Sequence, residues 1–196
     1  MSNYDKEKWN SRYAKADRQA VRPASELLQA HLALARPGRA LDVACGTGRN
    51  ALFLAHRGFT VDAIDISEVA LSHASAQAEG LPVRWLCQDL LASPEIPQFG
   101  YDLIIMFHFV APTLLARLTG HLSPGGLLMV EEHLQPPEGR GGGAVTGPHN
   151  PQYRVGSGEL QQDLNELDLL FFYEGEVKQA DDRSAWLSQV IVRNPE

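Results

Sequence analysis

The residues best suited to hold a ligand are a glycine turn and three acids that recur at the ends of apolar runs. The turn is Leu41-Asp42-Val43-Ala44-Cys45-Gly46-Thr47-Gly48-Arg49-Asn50. Glycines let a backbone adopt φ > 0 and pass close to a ligand. A helix that starts straight after the turn presents free N–H groups to the same place. Asp65 ends the next apolar run, where a carboxylate can accept two neighbouring hydroxyls. Asp89 follows a third run, where a carboxylate can accept from the exocyclic amine of an adenine and Leu90 offers a backbone N–H. Taken singly, Asp65 and Asp89 read equally well as turn or helix-capping acids. Their recurrence at successive strand ends favours one shared ligand.

Two ligand classes fit the turn. Gly46-x-Gly48-x-x-Ala51 with Asp65 downstream matches a dinucleotide fingerprint, which would make the chain an NAD-dependent oxidoreductase. Asp42 points the other way. An acid at the end of the first strand repels an anionic pyrophosphate but suits the cationic amine and sulfonium of S-adenosylmethionine (SAM).

No strong catalytic signature accompanies the ligand residues. His108 follows the fourth apolar run and His133 the fifth, so both are candidate bases beside a reacting group. Tyr13 in the N-terminal segment and His149 in a Gly-rich stretch are further candidates for a substrate pocket, on segments able to close as lids. For each of these, lining or sealing a pocket is the simpler role. Phe107 and Phe109 can form an apolar wall. Glu131 and Glu132 are adjacent in a strand and cannot face the same side. Cys45 and Cys87 have no activating neighbour in sequence and read as structural; the histidines lack metal-ligand spacing, and no metal is expected.

The elements that must position these residues alternate in type. Strands are expected over Arg39–Ala44, Phe59–Ile64, Val83–Cys87, Tyr101–Phe107 and Leu127–Glu131. Helices are expected from Ala24, over Arg49–Arg57, from an N-cap at Ser67 to Gly80, and over Thr113–Leu122, with Ser123-Pro124-Gly125-Gly126 as a turn. Such alternation predicts an α/β fold with a parallel sheet covered by helices on both faces, ligands sitting at the strands' carboxyl edge. After a long Gly/Pro-rich stretch, 134–157, come a helix over Gly158–Leu167 and two strands, Leu169–Tyr173 and Trp186–Val192. These predict an antiparallel C-terminal hairpin on a seven-stranded Rossmann-like sheet. Residues 1–23 read as a lid or helix, and residues 1–196 as a single domain.

The formal net charge of −7 and the lack of a Lys/Arg cluster argue against a nucleic-acid partner. No run is long enough to span a bilayer, and two cysteines without a leader-like segment favour a cytoplasmic location. Neither the acceptor nor an oligomeric state is written in a motif.

Across nearly its whole length the sequence resembles class I SAM-dependent methyltransferases, in particular the small bacterial tellurite-resistance type and its uncharacterised relatives. The matching residues are Trp9-Asn10-x-Arg12-Tyr13, the Asp42–Asn50 run, Ile64-Asp65-Ile66-Ser67, Gln88-Asp89, Tyr101-Asp102 and Ser123-Pro124-Gly125-Gly126. The resemblance implies SAM as cofactor, S-adenosylhomocysteine (SAH) as product and a small-molecule substrate. It implies a cofactor site of Asp42, Ala44, Cys45, Gly46, Gly48, Asn50, Asp65, Ile66, Asp89, Leu90 and Phe107. In it Asp42, Gly46 and Gly48 hold the methionine part, Asp65 the ribose, Asp89 and Leu90 the adenine, and the Phe107 backbone the amine. Ala44 departs from the glycine common in relatives, and a backbone restricted to φ < 0 is expected there. A SAM-binding protein without catalysis is a further alternative.

Overall fold

The computed structural model describes residues 3–15, 23–138, 145–178 and 183–195. Its strands are β1 (Arg39–Val43), β2 (Thr60–Asp65), β3 (Val83–Cys87), β4 (Tyr101–Phe107), β5 (Leu122–His133), β6 (Val145–Thr146), β7 (Asp168–Lys178) and β8 (Ser184–Arg193). Its helices are α1 (Asn3–Lys15), α2 (Glu26–His31), α3 (Arg49–Ala55), α4 (Glu68–Ser75), α5 (Pro112–Thr119) and α6 (Glu159–Asp163). The sheet runs β3-β2-β1-β4-β5-β8, with β7 on the far side of β8. The first five strands are parallel, and β8 is antiparallel to both β5 and β7. The expected mostly parallel sheet with a C-terminal hairpin is therefore present, with the two-residue β6 added alongside Ser184 and Ala185.

Period-two alternation divides the core between two layers. Leu41, Val43, Ile104, Met106, Leu128 and Val130 pack with Leu114, Leu115 and Leu118 of α5 and Leu160 of α6. Ala40, Leu103, Ile105, Leu127 and Met129 pack with Leu27 and Leu28 of α2 and Leu54 of α3. Because both faces are covered, β4 is apolar almost throughout.

Three local expectations change. The Ser123–Gly126 turn lies inside β5 as an irregularity. Pairing passes from Tyr101↔Leu122 to Leu103↔Leu127, so the extra residues of β5 loop out of register. Gly126 is required there, because a Cβ would lie 2.6 Å from the Tyr101 carbonyl oxygen. The Gly/Pro-rich stretch is more structured than its composition suggests. The Arg154 guanidinium donates to the Leu134 carbonyl at 2.8 Å and to the Pro148 carbonyl at 2.9 Å, and Leu134 bridges to Val155. The Gly141-Gly142-Gly143 run and the end of the expected N-terminal lid, 16–22, lie outside the described residues. Finally, α4 and α6 are shorter than expected. Among the described residues no helix is long and apolar enough to cross a membrane.

Candidate cofactor site

A cavity of about 480 Å³ opens at the carboxyl ends of β1, β2 and β4. Asp42, Ala44, Cys45, Gly46 and Asn50 from the glycine-turn run line it, with Thr47 and Arg49 beside them. The turn is left-handed at three positions: Ala44 (φ 55°), Gly46 (φ 56°) and Gly48 (φ 79°). Ala44 thus adopts the left-handed conformation that favours glycine, contrary to the expected negative φ, at a cost of about 1–2 kcal/mol. Gly46 has the Tyr13 hydroxyl where its Cβ would stand, 2.7 Å away. Gly48 is not on the cavity wall. It starts α3, and a Cβ there would lie 2.5 Å from the Trp85 ring. Its part is to seat β3 against the turn.

Asp42 is 2 % exposed, and its Oδ2 has no hydrogen-bond partner within the protein. Burial pushes its carboxyl up to about 7, although the Ala51 N–H and the Arg49 guanidinium act in the opposite direction. A buried polar atom left unpaired is expensive, and its retention beside a cavity is the mark of an absent partner.

Asp65 accepts the Gly46 N–H through Oδ2 and the Ser67 N–H through Oδ1, both at 2.8 Å. Burial raises its carboxyl despite those bonds. The acid at the tip of β2 therefore holds the turn after β1 and the start of α4. The Ile66 N–H also bonds to it, and an ionised carboxylate has about four acceptor positions, so acceptor capacity remains for a hydroxyl. Ile66 lies beside it on the wall. Gln88, Asp89 and Leu90 also line the cavity. Asp89 Oδ1 accepts the N–H groups of Leu91 and Ala92, at 3.0 and 3.1 Å, so it also shapes the turn after β3.

The other wall is Phe107, His108 and Phe109. His108 is a second non-glycine residue with positive φ, 57°. Its N–H donates to the Glu131 carbonyl at 2.7 Å, and its Nε2 lies 3.3 Å from Glu131 Oε1. Glu132, facing the opposite side, accepts the Phe109 N–H at 2.8 Å. The adjacent glutamates thus fix one turn from two sides. His133 stands behind His108, ring centroids 4.6 Å apart, and does not line the cavity. Burial, with His108 and Arg154 nearby, pushes it down to about 4. His149 is exposed and is also absent from the cavity wall. Asn50 faces the cavity while its Oδ1 accepts the Ser25 N–H at 2.9 Å, anchoring α2.

The N-terminal Trp9-Asn10-x-Arg12-Tyr13 motif, Tyr13 among the expected pocket residues, supplies a further part of the lining. Trp9, Arg12 and Tyr13 of α1 cover the cavity, held there by the Ser67 hydroxyl donating to Asn10 Oδ1 at 2.7 Å and by Lys6 paired with Glu68 at 3.3 Å. His73 and Gln77 reach the cavity from α4 and the turn after it. Their i,i+4 spacing was the available signal.

A mostly parallel sheet with this strand order and a cofactor-sized cavity at its carboxyl edge is that of the Rossmann-like nucleotide-binding proteins. Residues 40–126 match the family described as Methyltransferase domain. An uncharacterized methyltransferase of Mycobacterium tuberculosis is 37 % identical over 101 residues, covering 49 % of this chain and 51 % of that one. The demethylmenaquinone methyltransferase of Thermus thermophilus is 40 % identical over 112 residues, 53 % of this chain and 50 % of that one. The chain thus spans about half the length of these curated relatives. In fold it is similar to TehB from Haemophilus influenzae, with TM-score 0.74 and 18 % identity over 95 % of this chain and 67 % of that one. It is also similar to the N-methyltransferase NodS from Bradyrhizobium japonicum, with TM-score 0.66 and 17 % identity over 100 % of both chains. The chain resembles class I SAM-dependent methyltransferases in sequence and in fold, and the resemblance implies SAM as the cofactor.

Proposed function

We propose that the chain, as one domain, is a SAM-dependent methyltransferase whose substrate is a small molecule methylated on a thiol, an oxyanion, or a metabolite oxygen or nitrogen. The observation that carries this reading is the partnerless Oδ2 of Asp42, buried beside a left-handed turn at the cavity. A cationic amine completes that carboxylate. A pyrophosphate would meet it as a like charge, which disfavours the dinucleotide reading.

The rest of the wall suits the same ligand. Arg49, beside Asp42 at the start of α3, is placed for a carboxylate; Asp65 keeps acceptor capacity for a ribose hydroxyl; Leu90 and Asp89 lie where an adenine would rest. SAM, when bound, supplies a methyl group already activated by its sulfonium. The chain's part is then to align the acceptor with that methyl and to exclude water, which Trp9 and Tyr13 on α1 are positioned to do.

Tryptophan fluorescence provides the first test, because Trp9 lines the cavity and Trp85 backs Gly48. Titration with SAM and SAH is expected to saturate and titration with NADH to give no specific change. A screen of small acceptors with radiolabelled SAM then tests transfer. Binding of NADH in preference to SAH, or SAH binding without turnover of any acceptor, would defeat the reading.

A further inference from the structure

We propose that His108 is the general base for an acceptor that still carries its proton, with Glu131 as the residue that positions it. The inference rests on the methyltransferase reading and narrows its substrate class to a protonated hydroxyl, thiol or amine.

Four observations carry it. First, His108 is on the cavity wall next to Phe107, with its side chain 28 % exposed. Second, the backbone holds it at φ 57°, a conformation non-glycine residues adopt at a cost, and such strain collects at working sites. Third, its Nε2 faces Glu131 Oε1 at 3.3 Å, which leaves the lone pair of a neutral ring on Nδ1. Fourth, Glu131 is itself fixed: Gln189 donates to its Oε2 at 2.7 Å and the Ser25 hydroxyl to its Oε1 at 3.4 Å. A base oriented by a carboxylate, itself oriented by a further group, is the arrangement acid–base catalysis requires.

Glu131 remains charged in this setting. Burial alone would raise its carboxyl, but the contacts from His108 and Gln189 outweigh burial and lower it. The other charged or titratable groups near the pair are Arg49 from α3, Glu132 on the opposite face of β5, and His133 and Arg154 behind the ring. His133 is held neutral and so adds no positive charge against the imidazolium.

In the step, the acceptor's proton passes to His108 Nδ1 as the acceptor–methyl bond forms. The methyl–sulfur bond breaks and its electron pair remains on sulfur, giving SAH. The imidazolium, paired with Glu131, then returns its proton to solvent.

The test uses the full chain saturated with SAH, after calorimetry has shown that SAH binds. Imidazole ¹H–¹⁵N correlation spectra are expected to show His108 as the Nε2–H tautomer. That tautomer preference should be lost in Glu131→Leu and largely kept in Glu131→Asp. Radiolabelled SAM is then offered with catechol, 2-mercaptoethanol and benzylamine as proton-bearing probes, and with selenite as an anion that needs no base. Turnover of a proton-bearing probe is expected, with kcat falling about 100-fold in His108→Asn while SAH affinity holds. Asparagine is chosen because it tolerates positive φ. The proposal is overturned by an unchanged tautomer preference in Glu131→Leu, by unchanged kcat in His108→Asn, by methylation of selenite alone, or by no turnover of any probe. Absence of SAH binding would instead remove the methyltransferase reading on which it rests.

Discussion

Asp65 Oδ2 accepts the Gly46 N–H at 2.8 Å, so the acid ending β2 sets the backbone of the turn that follows β1. Its other oxygen takes the Ser67 N–H at the start of α4. One side chain thereby ties together the two strand ends that form the cofactor cavity, and loss of it should be felt before any ligand is added.

Asp65→Ala is expected to destabilise the free protein by about 3 kcal/mol, since it removes two hydrogen bonds to a buried charged group. SAH affinity should fall by more than tenfold as well. Urea unfolding read beside calorimetry separates the two effects. Normal stability with lost affinity would reduce Asp65 to a ligand contact alone.

Ala44 adopts φ 55°, where glycine carries no steric penalty. Ala44→Gly is therefore expected to stabilise the fold by about 1 kcal/mol, the relieved left-handed strain exceeding glycine's added entropy in the unfolded chain. Denaturant midpoints at constant m-value provide the check. A loss of stability would mean that the strain is not real.

Gly48→Ala should cost about 2 kcal/mol or more. It combines an unfavourable φ of 79° with a Cβ driven to 2.5 Å from Trp85. Trp85→Phe in the same background, by shortening the ring, is expected to recover part of the loss, and a double-mutant cycle measures that coupling.

The pH response follows from Asp42, whose carboxyl is raised to about 7. Between about 4 and 7 the folded state holds a proton there that the unfolded chain releases, so stability from this group falls as pH rises through that window. His133, lowered to about 4, works in the opposite sense: its contribution is present above its ordinary value near 6.5 and is lost as pH falls through 4. Comparison of wild type with Asp42→Asn isolates the first. A cationic amine needs the ionised form, so SAH affinity should rise about fivefold from pH 6 to 7, with proton release on binding. Asp42→Asn should abolish both the slope and the release.

Much of this was legible in the sequence, because strand–helix alternation and strand-end acids are local patterns. Asp42, Asp65 and Leu90 do line one cavity, at three strand ends of one sheet. What escaped depends on partners distant in the chain. Gly48 matches a phosphate-loop glycine, yet Trp85, 37 positions later, is the reason for it. Ala44 is in a left-handed conformation that its residue type alone argues against. Glu131 gave no signal as a partner of His108, since neighbouring strands in the sheet bring them together only after the fold forms. His133, one strand position from the glutamate clamp, faces the back of the His108 ring instead of the cavity. His149 sat in a stretch whose composition suggested a lid, but Arg154 ties down much of what is described there.

The central claim is that Asp42 receives the amine of an adenosyl cofactor. Isothermal titration calorimetry of SAH into wild type and Asp42→Asn at pH 7.5 tests it most directly. The prediction is saturable single-site binding to wild type, weakened by more than tenfold in the variant although its unfolding temperature is no lower than that of wild type. Equal affinity in the two proteins, or no heat with wild type, would contradict it.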